Sequence, residues 1–326
     1  MAHKIDTMAW TGEKPWHKLG VEVPANLTPA EIGVAAGLNW TVSKTPIYYD
    51  QNGVMVPVPD RVALIRDDRK TVLSVTSPRY NEVQNEIALG FFDQFVKAGQ
   101  ITMETAGSLA GGRYIWALAR LNKDFKLAGH DQVNGYVLLM QPHAVGRSMI
   151  GQFTPVRVVC WNTLTYAIGN NLKGSASAFR MPHSQKFDEK MKERAALTIG
   201  LATAQMTTFE EAASFLASKT VPAAEVEEFF TTILKFDPTK AEKNADGLIR
   251  EPRALPKLRA ALISSPGANL ASAEGTIWGA FNAVSAYTDH IAGRSDDTRL
   301  QSAWLGQSAA LKRRAFDLAV DWAKRS

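Results

Sequence analysis

Apolar and polar positions change period along this chain, and the changes mark out its elements. Thr28 followed by Pro29 reads as an N-cap and a first helical residue, so a helix is expected over Thr28–Ala36 with Gly37 as its stop. Strict alternation follows. Pro46–Asp50 and Val54–Val58 flank Gln51-Asn52-Gly53, and Asn-Gly between alternating runs is a strong hairpin signal. Pro57 and Pro59 push the second run towards a sheet edge, because proline cannot donate to a ladder. Arg61–Arg66 and Thr71–Val75, separated by Asp67-Asp68-Arg69-Lys70, predict a second hairpin. The period then turns helical from Glu82 to Ala98, with Val83, Ile87, Phe91 and Phe95 on one stripe and Gly99 beyond its end.

A second block of β pattern spans Ile101–Phe153. Tyr114, Trp116, Leu118 and Arg120 share one strand face by alternation, and Arg113 falls on the other. Tyr136–Met140 is apolar throughout, as in a strand covered on both faces, and Ser148–Phe153 predicts a further strand. Thr154-Pro155 repeats the threonine–proline helix start. The helix it predicts puts Val156, Val159, Cys160, Thr163, Leu164 and Ala167 on a core face. Arg157 and Trp161 lie side by side on its flank, with Asn162 on the other side.

Gly169–Ser177 is a small, polar connector that carries Lys173. From Phe187 the pattern is helical. Thr208 with Glu211 offers a capping box before Ala212–Ser218, and Ala223–Lys235, Thr276–His290 and Ala309–Lys324 continue, with a charged linker over Lys240–Pro256. The expected class is α+β: antiparallel hairpins with packed helices over 1–186, then a helical part over 187–326.

Charge changes the picture once it is located. The 326 residues carry 37 Lys+Arg against 32 Asp+Glu, a net charge of +5. Between Thr105 and Lys186 stand Arg113, Arg120, Lys123, Lys126, Arg147, Arg157, Lys173, Arg180 and Lys186 against only Asp124 and Asp131. That stretch holds +7, so the remainder sums to −2. Aromatic residues interleave these cations, among them Trp116 and Trp161. Cations that track a backbone and rings that stack on unpaired bases are how single-stranded nucleic acid is held. The expected binding set is therefore Arg113, Arg120, Arg147, Arg157, Lys173 and Arg180 for phosphates, Trp116 and Trp161 for bases, and Asn162 beside them.

Catalytic chemistry is sparse. No Walker A string, G-x-S-x-G elbow or H-E-x-x-H helix occurs, the histidines are scattered, and the single Cys160 falls on a core face. No catalytic residue, cofactor or metal is assigned. An enzyme acting on nucleic acid remains an alternative, built from His143, Arg147 and a carboxylate from elsewhere, as does a protein-binding inhibitor of a host defence system. No apolar run approaches 18 residues, so no membrane partner is expected.

At Thr154-Pro155-Val156-Arg157-Val158-Val159-Cys160-Trp161-Asn162-Thr163-Leu164 the chain resembles the phage/plasmid-like family described as domain of unknown function 932. Pro15-Trp16-His17 is similar to its N-terminal element, and Glu104–Leu109 with Gly111-Gly112-Arg113 to its central block. Thr276–Val284 through Tyr287, Asp289 and His290 resembles its C-terminal block. Trp161 replaces the glutamine expected there, which favours stacking. The resemblance implies a mobile-element protein of the bacterial cytoplasm. A remote likeness to the phage annealing recombinases (the RecT, Redβ and Erf class) implies binding of single-stranded DNA and ATP-independent strand pairing. It also implies a homo-oligomeric ring or filament, with a host or phage replication or recombination protein as a further partner.

Overall fold

The computed structural model describes residues 5–12, 19–159, 162–163, 178–185, 188–293, 299, 302–303 and 306–325. The class is α+β, as its periodicities predict. The strands are β1 (Ile5–Trp10), β2 (Val21–Glu22), β3 (Val42–Gln51), β4 (Val54–Arg66), β5 (Thr71–Thr76), β6 (Ile101–Leu109), β7 (Tyr114–Leu127), β8 (Asp131–Pro142), β9 (Ser148–Arg157), β10 (Asn162–Thr163) and β11 (Ala178–Pro182). The helices are α1 (Pro29–Ala35), α2 (Asn85–Leu89), α3 (Asp93–Lys97), α4 (Glu189–Ser218), α5 (Ala223–Leu234), α6 (Leu255–Ser264), α7 (Ile277–Ala286) and α8 (Gln307–Ala323). One sheet has the order β3-β4-β5. The other runs β10-β9-β8-β7-β6-β1-β2, with β11 also paired to β9. Two compact units result: residues 1–122, 136–153 and 176–202, and residues 123–135, 154–175 and 203–326.

Local chemistry explains most boundaries. Thr28 caps α1 by accepting from Glu31 N, while Glu31 accepts from Thr28 N, a reciprocal box that satisfies two otherwise orphaned donors. Asn52 and Gly53 both take positive φ at the β3–β4 turn, as the Asn-Gly pair requires. The runs 54–58 and 61–66 are one strand, β4, which passes its irregularity at a register shift. The helix expected over 82–98 is broken into α2, a 3-10 turn at Gly90–Phe92, and α3.

Two helical expectations give way. Thr154-Pro155 opens no helix: β9 runs on to Arg157, where Arg157 pairs with Asn162 and Val156 with Thr163 of β10. Thr154 and Val156 are β-branched and favour strand. Pro155 falls between the part of β9 that pairs with β11 and the part that pairs with β10, where a missing N–H is tolerated. Thr208 is not a cap but an interior residue of α4, its hydroxyl donating to Ala204 O one turn back.

In the first unit a buried arginine anchors the turn between β6 and β7. Arg66 donates Nε and Nη2 to Asp68 and Nη1 to Asp6 at 2.7 Å, and its guanidinium lies 4.3 Å over the Trp40 ring. Burial pushes the Asp6 carboxyl up, but the bonds from Arg66 and Arg69 outweigh it and hold Asp6 below the usual carboxylate range. Gly112, at φ +97°, backs onto this group. A Cβ there would stand 3.0 Å from both Arg66 Nη1 and the Trp40 ring.

The second unit is built on aromatic packing. α7 is buried on every side, and Trp278, Phe281 and Phe316 are core rings, with Phe209–Phe316 centroids at 5.5 Å and Phe281–Phe316 at 5.2 Å. Lys312 of α8, wholly buried, donates to Asp289 at 2.6 Å, and burial lowers its ammonium below the usual range against the pull of that carboxylate. Among the described residues, no helix is long and apolar enough to cross a membrane.

Candidate nucleic-acid interface

The structure separates the expected binding residues into three groups. Arg113, Arg147 and Arg180 are exposed, and Arg120 is half-exposed opposite Thr102. Arg157 and Trp116 are not available at the surface. Lys173 and Trp161 lie outside the described residues, as does Cys160, while Asn162 is placed by its backbone in β10.

Arg157 is 0% exposed. Its Nε donates to Asp131 Oδ1 at 2.7 Å and its Nη2 to Gly267 O at 3.0 Å. Asp131, equally buried, also accepts from Ser272 Oγ at 2.6 Å and Trp278 Nε1 at 3.1 Å. Gly267 approaches so closely that a Cβ there would stand 2.6 Å from Val159. This is an internal clamp of the second unit, with its charges neutralised and its donors committed, and it cannot hold phosphate. Trp116 is 2% exposed because it packs over Gly107, its cross-strand neighbour, where a Cβ would lie 3.1 Å from the ring. A Cβ at Gly107 would also stand 2.6 Å from Thr7 O and 2.7 Å from Met8 Cβ, so glycine is needed on the β1 side as well.

The buried Arg157–Asp131 pair removes one cation and one anion and so leaves the net charge of the stretch unchanged, while Arg113, Arg147 and Arg180 face solvent. In the first unit the exposed Arg113, Arg147 and Arg180 stand on adjoining segments, which make up an arginine rim. Arg113 follows the glycine turn fixed by Arg66, whose Nη1 donates to Gly111 O. His143 N donates to Arg113 O at 2.8 Å, which sets the Arg113 turn against the β8–β9 loop that carries Arg147. That loop is tied to β5 where Val145 N donates to Ser74 Oγ, and to the next turn where Tyr80 Oη donates to Pro142 O. Tyr80 stacks on His183 with centroids 4.4 Å apart, and Asn81 N donates to His183 O at 2.7 Å. Pro182 pairs with Ser148, which brings β11 and the exposed Arg180 alongside. Arg79, exposed beside Tyr80, joins the same rim. Sequence reasoning missed it because it stands outside the charge-rich stretch; its signal is the Ser77-Pro78-Arg79 turn.

Beneath the rim lies a buried polar scaffold. Asn85 donates Nδ2 to Leu38 O and Trp40 O, so its Oδ1 accepts from His143 Nε2 at 2.8 Å. That bond places the imidazole proton on Nε2. Burial, with a smaller contribution from His183, holds His143 neutral and lowers its pKa to about 3. Gln141 donates to Val83 O and Pro142 O. A neutral, fully buried His143 is a positioning group for the loops above it and does not present a base to solvent. The alternative site built on His143 and Arg147 therefore loses its acid–base member. Among the described residues, no group of three or more His, Cys, Asp or Glu side chains converges to hold a metal.

No curated protein and no solved structure matches the sequence. The family model described as "Domain of unknown function (DUF932)" matches residues 72–304, more than half of the chain. That span contains the Arg79, Arg113, Arg147 and Arg180 rim, its Asn85–His143 scaffold and the Arg157–Asp131 clamp, and the chain belongs to the DUF932 family.

Proposed function

We propose that this protein binds single-stranded DNA and promotes the pairing of complementary strands without ATP, as a mobile-element protein working in the bacterial cytoplasm. The observation that carries the reading is the rim of Arg79, Arg113, Arg147 and Arg180, exposed on segments that buried polar groups hold in place. Guanidiniums on fixed loops lose little freedom when they meet phosphates, and each phosphate neutralised releases counterions. Tyr114, half-exposed beside Arg113, supplies a ring at the rim in place of the buried Trp116. A remote kinship with the annealing recombinases, itself part of this proposal, goes with the choice of a single strand. No covalent step is needed: strands held with their charge screened pair through their own base-pairing energy, and duplex formation drives release.

Anisotropy of a labelled single-stranded oligonucleotide, titrated at several salt concentrations beside a duplex of equal length, tests this. Affinity should fall steeply with salt and favour the single strand. In the Arg113→Ala/Arg147→Ala double variant the log–log salt slope should shrink by about 1.4, since each phosphate contact on a single strand contributes about 0.7. Both side chains are exposed, so thermal stability should hold within about 0.5 kcal/mol. Folded wild-type protein that shows no salt-dependent binding would rule the reading out.

A further inference from the structure

We infer that residues 237–250 form a strap that gates the groove between α5 and α6, and that the Arg259 guanidinium is the latch holding it shut. The strap leaves α5 at Lys235, whose left-handed backbone (φ +54°) ends the helix. It returns at Pro252, whose carbonyl accepts from Leu255 N at the start of α6. Between those points it is built on itself. Asn244 Oδ1 accepts from Asp246 N at 3.0 Å and from Leu248 N at 2.9 Å, Asn244 N donates to Leu248 O, and Arg250 N donates to Glu242 O. Asp237 accepts from Thr239 and pairs with Lys240. Among the described residues, every hydrogen bond and ion pair of 237–250 closes within the segment.

Burial holds the strap no better. All its residues are exposed except the half-buried Ala241, and Leu248 and Ile249 stand 65% and 43% exposed. Ile249 shares with Phe236 and Leu255 the lining of an open groove of about 420 Å³, so it does not close-pack against them. Space of that size forfeits the dispersion contacts that fix a packed segment. The strap is a unit with internal order and a weak apolar hold on its helices, the condition for opening as a body. Its release uncovers Phe236 and Leu255.

One charged tie remains. Arg259 of α6 donates Nε and Nη2 to Glu227 of α5. It also donates Nη1 and Nη2, at 2.7 and 2.8 Å, to Glu251, the residue that follows the strap. Exposed single pairs contribute little, but a guanidinium fork set on two carboxylates gains charge and geometry together. These side chains are 37–41% exposed, so salt reaches them, and the tie weakens with ionic strength where a packed core would not. The two carboxylates act separately: Glu227 joins α6 to α5, and Glu251 joins the strap to α6.

Double electron–electron resonance between spin labels at Leu248→Cys and Thr232→Cys, in the full chain carrying Cys160→Ser, tests this. At low salt the labelled parent should give one narrow distance distribution. Glu251→Gln and Arg259→Gln should each add a longer, broader population and raise the open fraction about fivefold or more. Salt at about 1 M should do the same to the parent. Glu227→Gln should keep the narrow distribution, because Arg259 still holds Glu251. All of these side chains are at the surface, and circular dichroism confirms that each variant is folded. A narrow distribution that survives Glu251→Gln overturns the inference. So does a parent already broad at low salt, or opening in Glu227→Gln as large as in Glu251→Gln.

Discussion

Arg157→Ala is expected to destabilise the protein by roughly 3–5 kcal/mol, well beyond any effect on DNA binding alone. The substitution leaves Asp131 buried with Ser272 and Trp278 as donors but without the guanidinium that balances its charge. It also removes the donor to Gly267 O and opens space beside Val159. A buried pair adds little net stability over an apolar replacement, yet breaking one half is costly because the other charge has nowhere to go. Urea unfolding followed by tryptophan fluorescence measures this. Adding Asp131→Asn to Arg157→Leu should recover part of the loss, since the uncompensated charge is then gone. If Arg157→Ala keeps its stability within about 1 kcal/mol and loses oligonucleotide affinity instead, the residue is a surface phosphate ligand and the clamp is wrong.

The second large effect is an acid lability that begins well above the carboxylate range. His143 titrates near 6.5 when unfolded and near 3 when folded. A depressed folded pKa means that the unfolded chain binds the extra proton between those values. The stability contributed by neutral burial is therefore complete above about pH 6.5 and is lost as pH falls towards 3. The slope is about 1.4 kcal/mol per pH unit, or about 2 kcal/mol gone by pH 5. His183, also lowered by burial, acts in the same direction. Asp6, Asp67 and Asp68 are lowered from a starting value of 3.8, so their losses come later, below about pH 4. The window from pH 6.5 to 5 belongs to the histidines.

Unfolding free energies at pH 7.5, 6 and 5 should fall in sequence, and His143→Gln should flatten that dependence while lowering stability throughout. A flat profile over this window would mean that His143 is reached by solvent. Folded His143 stays neutral over this window, so the rim loops stay held and the oligonucleotide affinity of the folded protein should not follow the stability profile.

How much was legible depended on whether the decisive contact was local. The α1 cap uses Thr28, Pro29 and Glu31, all within one turn, and the β3–β4 turn uses Asn52 and Gly53. Such signals survive any tertiary context. Thr154-Pro155 carries the same local signal as Thr28-Pro29 and yet stands in a strand. Pairing of β9 with β10 and β11 over a β-branched stretch outweighs the preference of one threonine–proline step. Alternation on β7 correctly put Trp116 and Arg120 on one face. It could not tell that Gly107, nine residues upstream on the neighbouring strand, leaves a slot for the indole while Arg120 meets Thr102 near the surface.

The candidate site divides along the same line. Composition located the excess of cations, because charge is a property of residues and is conserved on folding. Which cations face solvent is a property of pairs. Arg157 disappears into the core because Asp131, 26 residues away, arrives with Ser272, Trp278 and Gly267 to satisfy it. Arg79 enters the rim because Tyr80, next to it in sequence, docks on His183 and Pro142. The α1 cap, the β3–β4 turn and the local surplus of charge were therefore determined by the sequence itself, through contacts spanning a few residues. The length of β9, the burial of Arg157 and Trp116, and the assembly of the arginine rim were decided only by tertiary structure, because each depends on which distant group supplies a buried polar atom with its partner.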